Sequence, residues 1–357
     1  MRLEASITLP FSCHAVECSP FLGERQAVAT AQYFGIVGNG RLHIVDRDSR
    51  GGDGDGRGGS PAMGTGLLRE VRTFDTQAGL FDCAWSECHP YQIVTAGADG
   101  VVKLWDLGTA DGFPMADWRE HTQEASGVDW NLVSKSSFAS SSWDGTVKVW
   151  QPDVSESSIT FRCHDQRHPV YGAIWNPHSA GQLFSFSGDG TARVLDVNSR
   201  LAGVVLDGHG GAEVLSGDWD KYNRPIVATG CADGTARVWD LRKPRSPLFV
   251  TREHRYALRR LRFSPHPTSI LATASYDTTV VLWDVAKMIE RPPPPPPPPR
   301  APPLSSPSLV PSTVAASVLD RVEHAEFVAG VAFSLFEPGV MATCAWDRHL
   351  CVWSAAR

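Results

Sequence analysis

Residues 230–240 read GCADGTARVWD, and five other segments of the chain follow the same pattern. In each segment an aspartate stands six residues before a tryptophan or, in one case, a leucine. The pairs are Asp99/Trp105, Asp144/Trp150, Asp189/Leu195, Asp233/Trp239, Asp277/Trp283 and Asp347/Trp353. Successive pairs are 44 or 45 residues apart, except that 70 residues separate the last two. A seventh, divergent copy is VGNGRLHIVD at 37–46, so the chain repeats one unit of about 44 residues seven times.

Each unit has the composition of a small antiparallel sheet. Segments such as IVTAGAD (93–99) and VVKLWD (101–106) are short, rich in β-forming residues and joined by an Asp-Gly turn. Seven such units predict an all-β fold, a single seven-bladed WD40 β-propeller over residues 1–357. The last copy ends near Trp353, so we expect the alternating segment LEASITL (3–9) to complete the last blade and close the ring.

Histidines at a fixed distance from the anchors are predicted to be structural. Four of them precede an anchor by 29 or 30 residues: His121, His209, His254 and His324. In propellers of this type such a histidine joins the turn aspartate and the strand tryptophan in a hydrogen-bonded network. The second copy has no such histidine and the fourth offers only His164 or His168, out of register, so these two blades are expected to be looser.

The irregular spacings locate two insertions, a Gly-rich loop at 47–66 and a Pro-rich loop at 288–313. Both follow the third strand of a blade, so both are expected on the face opposite the aspartate turns. The run of eight prolines favours a polyproline II rod. It is either a tolerated surface insertion or a ligand for an SH3 or WW domain, and we regard both loops as dispensable for the main function.

Composition excludes several classes of protein. The 357 residues include 33 Lys and Arg against 39 Asp and Glu, a formal charge of −6, which disfavours nucleic-acid binding. The apolar runs are too short for a transmembrane segment, and the N-terminus does not resemble a secretory signal. Eight cysteines without a C-x-x-C pair, and no N-x-[ST] site, favour a reducing, intracellular compartment.

Motifs for catalysis are missing from the sequence. It contains no G-x-x-x-x-G-K-[ST], H-E-x-x-H or G-x-S-x-G. Cys163, His164 and His168 are metal-ligating residue types, but no fourth ligand is evident and a structural role is favoured. We therefore expect a binding platform rather than an enzyme, with no cofactor and no metal.

Several stretches go beyond the generic repeat. They are FLGERQAVATAQYFGIVGNGRLHIVD (21–46), GLFDCAWSE (79–87), VYGAIWNPH (170–178), GDWDKYN (217–223), ALRRLRFSPHPTSILATASYD (257–277) and ATCAWD (342–347). Through these stretches the chain resembles the WD-repeat peroxins that recognise the type 2 peroxisomal targeting signal. The resemblance covers nearly all of the chain outside the insertions. The departures are those insertions, Leu195 at an anchor position and the missing histidine of the second copy, all of which concern blade rigidity.

The resemblance implies a receptor that shuttles between the cytoplasm and the peroxisome matrix. Its ligand would be an N-terminal nonapeptide of the form [RK]-[LVI]-x5-[HQ]-[LA] on matrix proteins. It would act with a co-receptor peroxin, dock through peroxins at the peroxisomal membrane and catalyse no reaction.

Two other functions fit the repeats. The sequence WDLR (239–242) ends a copy as in substrate receptors of cullin-RING ubiquitin ligases, which would place an adaptor on Arg242. A generic scaffold with several weak partners is the third possibility.

An amphipathic helical nonapeptide needs an apolar shelf flanked by carboxylates. The face with the aspartate turns offers candidates either just before each turn aspartate or four or six residues before a second set of apolar residues, one in each first strand. This second set is Trp85, Trp130, Trp175, Trp219, Phe263 and Phe333. The apolar candidates are Phe81, Trp143, Tyr171, Leu215, Tyr276, Phe327 and Trp346. The acidic candidates at these positions are Glu124 and Glu213, and two more adjoin apolar candidates, Asp82 after Phe81 and Glu326 before Phe327.

Our hypothesis is that Glu124, Glu213 and Glu326 pair with the basic residue of the signal, and in one version with its histidine. In the alternative, these carboxylates are solvated rim residues and the aromatic side chains pack against neighbouring blades. Arg259 and Arg260 are placed on the same rim, where they either contact an acidic segment of a co-receptor or, as we favour, bind loop carbonyls.

Overall fold

The computed structural model describes residues 1–48, 66–266, 269–290 and 318–355. Over these ranges the strands form seven antiparallel sheets of four strands each. Inner strands of successive sheets contact each other around a closed ring. The chain is therefore an all-β, seven-bladed propeller, as the repeats predict.

Blade 1 is β2–β5 (Ser12–Cys18, Arg25–Ala31, Gly40–Asp48, Leu67–Thr76). Blade 2 is β6–β9 (Leu80–Trp85, Gln92–Gly97, Val102–Asp106, Ala116–Trp118). Blade 3 is β10–β13 (Ala125–Trp130, Phe138–Ser142, Val147–Trp150, Ile159–Phe161). Blades 4 and 5 are β14–β17 (Val170–Trp175, Gln182–Ser187, Ala192–Asp196, Leu201–Leu206) and β18–β21 (Val214–Trp219, Ile226–Cys231, Ala236–Asp240, Phe249–Val250). Blade 6 is β22–β25 (Leu258–Phe263, Ile270–Ser275, Thr279–Asp284, Val318–Glu323), with the short helix α1 (Val285–Glu290) after β24. Blade 7 is β26–β28 (Val328–Phe333, Val340–Ala345, His349–Ser354) together with β1 (Arg2–Thr8).

The ring closes through the N-terminal strand, as predicted. Strand β1 pairs antiparallel with β28, with Leu3 opposite Trp353 and Thr8 opposite His349. The first strand of the chain thus supplies the outer strand of the last blade, which removes one open sheet edge and joins the two ends of the chain.

Anchor tryptophans pack in the cores of blades 2, 3, 5 and 6. Trp105, Trp150, Trp239 and Trp283 are almost completely buried. Each donates its indole N–H to a hydroxyl on the neighbouring strand, as Trp239 does to Thr229 at 2.8 Å. The residue spacing of the repeat therefore places an aromatic side chain and a matched hydroxyl in the core of successive blades.

The histidine network forms in four blades. The Nδ1 atoms of His121, His164, His254 and His324 lie 3.0–3.3 Å from the carboxylates of the turn aspartates. His164, one of the two candidates offered by the sequence, thus fills the role in blade 4 although it is out of register with the other copies. His164 also contacts Ser185 at 2.9 Å, which accounts for it without a metal.

Blades 2 and 5 depart from the pattern. In blade 2, Asp99 has no histidine and contacts Lys103 at 3.4 Å. In blade 5, His209 Nδ1 lies 2.9 Å from Arg237, and Arg237 pairs with Asp233 at 3.0 Å. The expected contact between His209 and the turn aspartate is therefore replaced by an arginine that occupies the space between them.

Both insertions connect the third and fourth strands of a blade. One lies between β4 and β5 and the other between α1 and β25. Residues 49–65 and 291–317, which hold most of the predicted loops 47–66 and 288–313, lie outside the described residues. Our statements about these loops stay predictions.

The described ranges contain no helix long and apolar enough to cross a membrane. The same residues contain no cluster of three or more His, Cys, Asp or Glu suited to a metal ion.

Candidate peptide-binding cavity

A cavity of about 580 Å³ opens where the inner strands begin, on the face that carries the aspartate turns. All seven blades contribute to its wall. The lining residues are His14, Phe34, Gly35, Ile36, Phe81, Glu124, Ser126, Trp143, Tyr171, Glu213, Leu215, Ala232, Ala257, Arg259, Tyr276 and Trp346. The cavity therefore lies on the axis of the propeller.

A repeated β-bulge creates this wall. The register of every inner strand shifts by one residue near its start, so that one residue per blade has no partner on the second strand. The unpartnered residues are His14, Phe81, Ser126, Tyr171, Leu215, Arg259 and Ala329. All except Ala329 line the cavity, because a bulge turns its side chain out of the ladder and towards the axis.

The turns add a second tier of residues above the bulges. The residue before a turn aspartate donates its backbone N–H to the backbone carbonyl of a residue just ahead of the inner strand. Trp143 bonds in this way to Glu124 at 3.0 Å, and Ala232 to Glu213 at 2.9 Å. The two carboxylates are thus fixed at the cavity wall by the same turns that carry the structural aspartates.

Five aromatic side chains form a continuous wall that we call the aromatic arc: Trp143, Phe81, His14, Trp346 and Tyr276. Successive ring centroids along the arc are 6.1, 5.5, 5.8 and 5.8 Å apart. Trp143 is 40% exposed. Such rings offer a large apolar surface of fixed shape.

A rim loop covers the middle of the arc. It is the short 3₁₀ turn Gln32–Gly35, with Ile36 after it. Gly35 has a φ of +82°, and a Cβ at this position would lie 2.4 Å from the Phe81 ring, so glycine lets the loop rest on Phe81. The Phe34 ring then lies 5.0 Å from Trp346, which extends the apolar surface.

The opposite wall is polar. The Tyr171 hydroxyl donates a hydrogen bond of 2.9 Å to Glu213. Burial and the neighbouring Glu213 raise the pKa of Tyr171, so the phenol keeps its proton. Among the described residues neither Glu124 nor Glu213 has a cationic partner within 4 Å, which leaves both carboxylates able to bind a positive charge.

Comparison with known proteins places this geometry in a family. The WD40 family (WD domain, G-beta repeat) matches residues 68–106, 112–151, 202–240 and 245–284. A relative named peroxisomal targeting signal 2 receptor in Saccharomyces cerevisiae is 32% identical, over 96% of this chain and 97% of the relative. The mouse protein of the same name is 39% identical, over 95% and 93% of the two chains.

The chain belongs to the peroxisomal targeting signal 2 receptor family. A further relative, named peroxisome biogenesis protein 7 in Arabidopsis thaliana, is 36% identical over 96% of this chain and 95% of its own length. The resemblance inferred from the sequence is thereby confirmed. Arg242, the residue on which the ligase alternative depends, forms an ion pair of 2.7 Å with Asp240.

Most of the predicted site residues of this family member meet at the cavity. Eight of them line it: Phe81, Glu124, Trp143, Tyr171, Glu213, Leu215, Tyr276 and Trp346. Phe327 lies behind the wall, where its ring stacks on Tyr276 at 4.9 Å. Glu326 is exposed and does not line the cavity.

Asp82 requires a correction. Its side chain is buried, and its carboxylate accepts a 2.8 Å hydrogen bond from the Arg260 guanidinium. It is therefore not available to a peptide at the cavity. Arg260 is itself buried rather than on the rim, and the hydrogen bonds that its side chain donates go to the Asp82 carboxylate instead of a loop carbonyl.

The lining residues that sequence reasoning missed fall into two groups. His14 and Ser126 lie at the bulge position that Phe81, Tyr171 and Leu215 occupy in other copies. Arg259 lies at the same position in β22, on the rim where the sequence analysis placed it, although it was not counted there as a residue of the peptide site. Reading that position in every copy, whatever its residue type, finds them. The second group consists of five loop and turn residues: Phe34, Gly35, Ile36, Ala232 and Ala257. Phe34–Ile36 belong to the rim loop of the divergent first copy, whose spacing predicts no such loop.

Proposed function

We propose that this protein is the import receptor for matrix proteins that carry an N-terminal type 2 peroxisomal targeting signal. It would bind the signal in the cavity and, with a co-receptor peroxin, deliver the cargo to docking peroxins at the peroxisomal membrane. The receptor shuttles between cytoplasm and peroxisome and catalyses no reaction. The observation that carries the proposal is an apolar arc that faces two carboxylates with no cationic partner in the described part of the chain, in a family named for this signal.

The chemistry of the cavity fits one face of such a ligand. A helical nonapeptide is about 14 Å long, and positions one and eight lie on the same face because they are seven residues apart. The basic residue at position one would pair with Glu124 and Glu213. The apolar residues at positions two and nine would pack on the aromatic arc.

The rim loop beside the cavity presents apolar side chains on which a partner protein could bind. Tyr33 and Ile36 on the rim loop are 71% and 86% exposed. Apolar side chains exposed to this extent beside a cavity are typical of an interaction surface. We assign this rim to the co-receptor.

The test is fluorescence anisotropy of a labelled type 2 signal peptide titrated with the full chain, with and without co-receptor. A control peptide has Glu in place of the leading Arg. We expect saturable binding that the control peptide lacks. No binding of the signal peptide, even with a competent co-receptor, would contradict the proposal.

The carboxylates are tested in the same assay. Glu213→Gln and Glu124→Gln each remove one charge, and the loss of a desolvated ion pair is expected to weaken binding at least about tenfold. Glu156→Gln is the matched control, because Glu156 is exposed and does not line the cavity. Equal affinities for all three variants would remove the carboxylates from the site.

A further inference from the structure

Positive charge is concentrated in two loops of blade 5 on the face opposite the cavity. Strands β18 and β20 both run away from the cavity, so the loops that follow them, residues 220–225 and 241–248, lie on that opposite face. The backbone N–H of Leu241 donates a 2.8 Å hydrogen bond to the Pro225 carbonyl, so the two loops form one surface. Although the chain has a formal charge of −6, these loops contain one acidic residue and five basic ones: Asp220 against Lys221, Arg224, Arg242, Lys243 and Arg245.

The aspartates of this region are buried beneath the loops and fix their shape. Asp220 is 4% exposed, and its carboxylate accepts the backbone N–H groups of Tyr222 and Asn223 at 2.8 and 2.9 Å. Asp240, at the end of β20, is 7% exposed and accepts the backbone N–H of Arg242 at 2.9 Å. Each loop is thus held from the inside by one carboxylate, while its cations remain on the surface.

Three of these cations have no counter-charge. Arg224, Lys243 and Arg245 are exposed, and in the described ranges none of them has a carboxylate within 4 Å. Beside them, Tyr222 is 54% exposed. Its hydroxyl donates a 2.8 Å hydrogen bond to the Pro265 carbonyl in blade 6, which fixes the position of the ring. Exposed arginines next to a fixed aromatic ring are typical of protein interfaces.

We propose that Tyr222, Arg224, Lys243 and Arg245, which we call the basic patch, bind an acidic segment of a partner protein. Carboxylates of the segment pair with the three cations, and an apolar side chain of the segment packs on the Tyr222 ring. The rest of an acidic protein repels such a segment, so the charge of the patch also selects where it binds. Because the patch and the cavity lie on opposite faces, both can be occupied at once.

An acidic protein segment fits this surface better than an anionic membrane does. On the same face, Glu24 and Glu337 in the loops of blades 1 and 7 are 41% and 42% exposed. Both pair with a single cation, Arg47, so this part of the face has an excess of negative charge. A flat anionic surface that approached the whole face would meet these glutamates, whereas a peptide contacts blade 5 alone. Polybasic membrane sites moreover contain about four to eight Lys and Arg residues.

The experiment is fluorescence anisotropy of a fluorescein-labelled Glu-rich peptide with one central Trp, titrated with the full chain. The patch variant combines Arg224→Gln, Lys243→Gln and Arg245→Gln. The control variant lowers the net charge equally, at exposed arginines that lie between the last strand of one blade and the first strand of the next: Arg162→Gln, Arg252→Gln and Arg255→Gln. Thermal unfolding of both variants verifies that they are folded.

We expect the patch variant to bind the peptide at least about tenfold more weakly than wild type, and the control variant less than about threefold more weakly. Binding by wild type should also weaken as NaCl rises from about 50 to about 300 mM, because salt screens exposed charges. Equal losses in the two variants would mean that only the net charge matters and would overturn the patch. Failure of wild type to bind the peptide would overturn it as well.

Two further measurements define the contact. Tyr222→Ala should weaken binding of the Trp peptide more than that of a peptide with Ser at the same position, and equal losses would remove Tyr222 from the patch. Co-sedimentation with vesicles of phosphatidylcholine and phosphatidylserine tests the membrane alternative. If the patch variant loses vesicle binding but keeps its affinity for the Glu-rich peptide, the proposal is wrong.

The inference does not depend on the proposed function. The patch variant should bind a type 2 signal peptide as wild type does, since none of its three substitutions lines the cavity. A loss of signal binding in this variant, with the fold intact, would contradict the separation of the two surfaces.

Discussion

Asp82 of β6 and Arg260 of β22 form an ion pair of 2.8 Å across the axis of the propeller. Their strands belong to blades 2 and 6, which are not neighbours in the ring. Both side chains are at least nine-tenths buried. The residues just before them, Phe81 and Arg259, line the cavity. The pair therefore fixes the separation of two opposite blades directly beside the cavity.

Removal of one partner should destabilise the fold strongly. Arg260→Met leaves the carboxylate of Asp82 buried without its counter-charge, which typically costs about 3–5 kcal/mol of unfolding free energy. Urea unfolding at pH 7 measures the change. Arg242→Met removes an exposed arginine that also pairs with an aspartate, and it should leave the unfolding midpoint unchanged. Similar midpoints for both variants would refute the role of the axial pair.

A second buried carboxylate should make stability depend on pH. Asp129 Oδ2 accepts a 2.6 Å hydrogen bond from the backbone of Trp175 in the next blade. Burial raises the pKa of Asp129 to about 7, and the nearby negative charge of Asp218 raises it further. The hydrogen bond from Trp175 and the positive charges of Arg262 and Lys221 lower the same pKa, but by less. The folded pKa is above the unfolded one, so this group's contribution to stability falls as pH rises from about 4 to about 7 and is constant above that.

Asp129→Asn removes the charge and keeps an oxygen for the Trp175 N–H. We expect it to stabilise the protein at pH 8, on the order of 2 kcal/mol, and to have little effect near pH 4. Thermal unfolding across this pH range measures both. A loss of stability at pH 8 would show that the ionised carboxylate is favoured in the folded state.

The histidine network predicts a contrast between blades. Burial alone would raise the pKa of Asp189, yet hydrogen bonds from His164 and Thr191 hold that pKa well below its usual range. The folded pKa is below the unfolded one of about 3.9, so the stabilisation is complete above about pH 5 and is lost as pH falls further.

Asp189→Asn should therefore cost about 1–3 kcal/mol at pH 7, because hydrogen bonds to a buried charge are lost. Asp99→Asn in blade 2 is the matched control and should cost less, since Asp99 has no histidine partner and is more exposed. Urea unfolding of the two variants decides the matter. Equal losses of unfolding free energy in the two variants would mean that the histidine does not stabilise the turn.

The repeat made the fold and most of the site predictable, for a local reason. A turn aspartate, an anchor and their spacing recur in six of the seven copies, so strand order, the turn face and the residues beside the turn follow from one copy. Trp143 and Glu213 are of this kind. The role of His164 was harder to assign, because the contact with Asp189 forms although the histidine is out of register with the other copies.

Contacts between distant copies could not be read in this way. Asp82 and Arg260 are 178 residues apart and meet only because the ring brings opposite blades together at its axis. Each looks like a rim residue within its own copy. The rim loop is a second case, since Tyr33 and Phe34 adopt positive φ angles of 45° and 59° that no repeat pattern specifies.

The aromatic arc gives the most direct test of where a peptide binds. Trp143 stacks on Phe81 at 6.1 Å and is 40% exposed, so Trp143→Ala should remove contact area for a ligand with little loss of stability. A large aromatic residue at the centre of an interface typically contributes at least 1.4 kcal/mol, so we expect about tenfold weaker binding of a type 2 signal peptide in anisotropy titrations. Phe113→Ala is the control, because Phe113 is 75% exposed and lies between the third and fourth strands of blade 2, away from the cavity. If the two alanine variants bind the peptide equally well, the ligand does not lie on the arc, and the exposed rim beside Phe34 becomes the surface to map next.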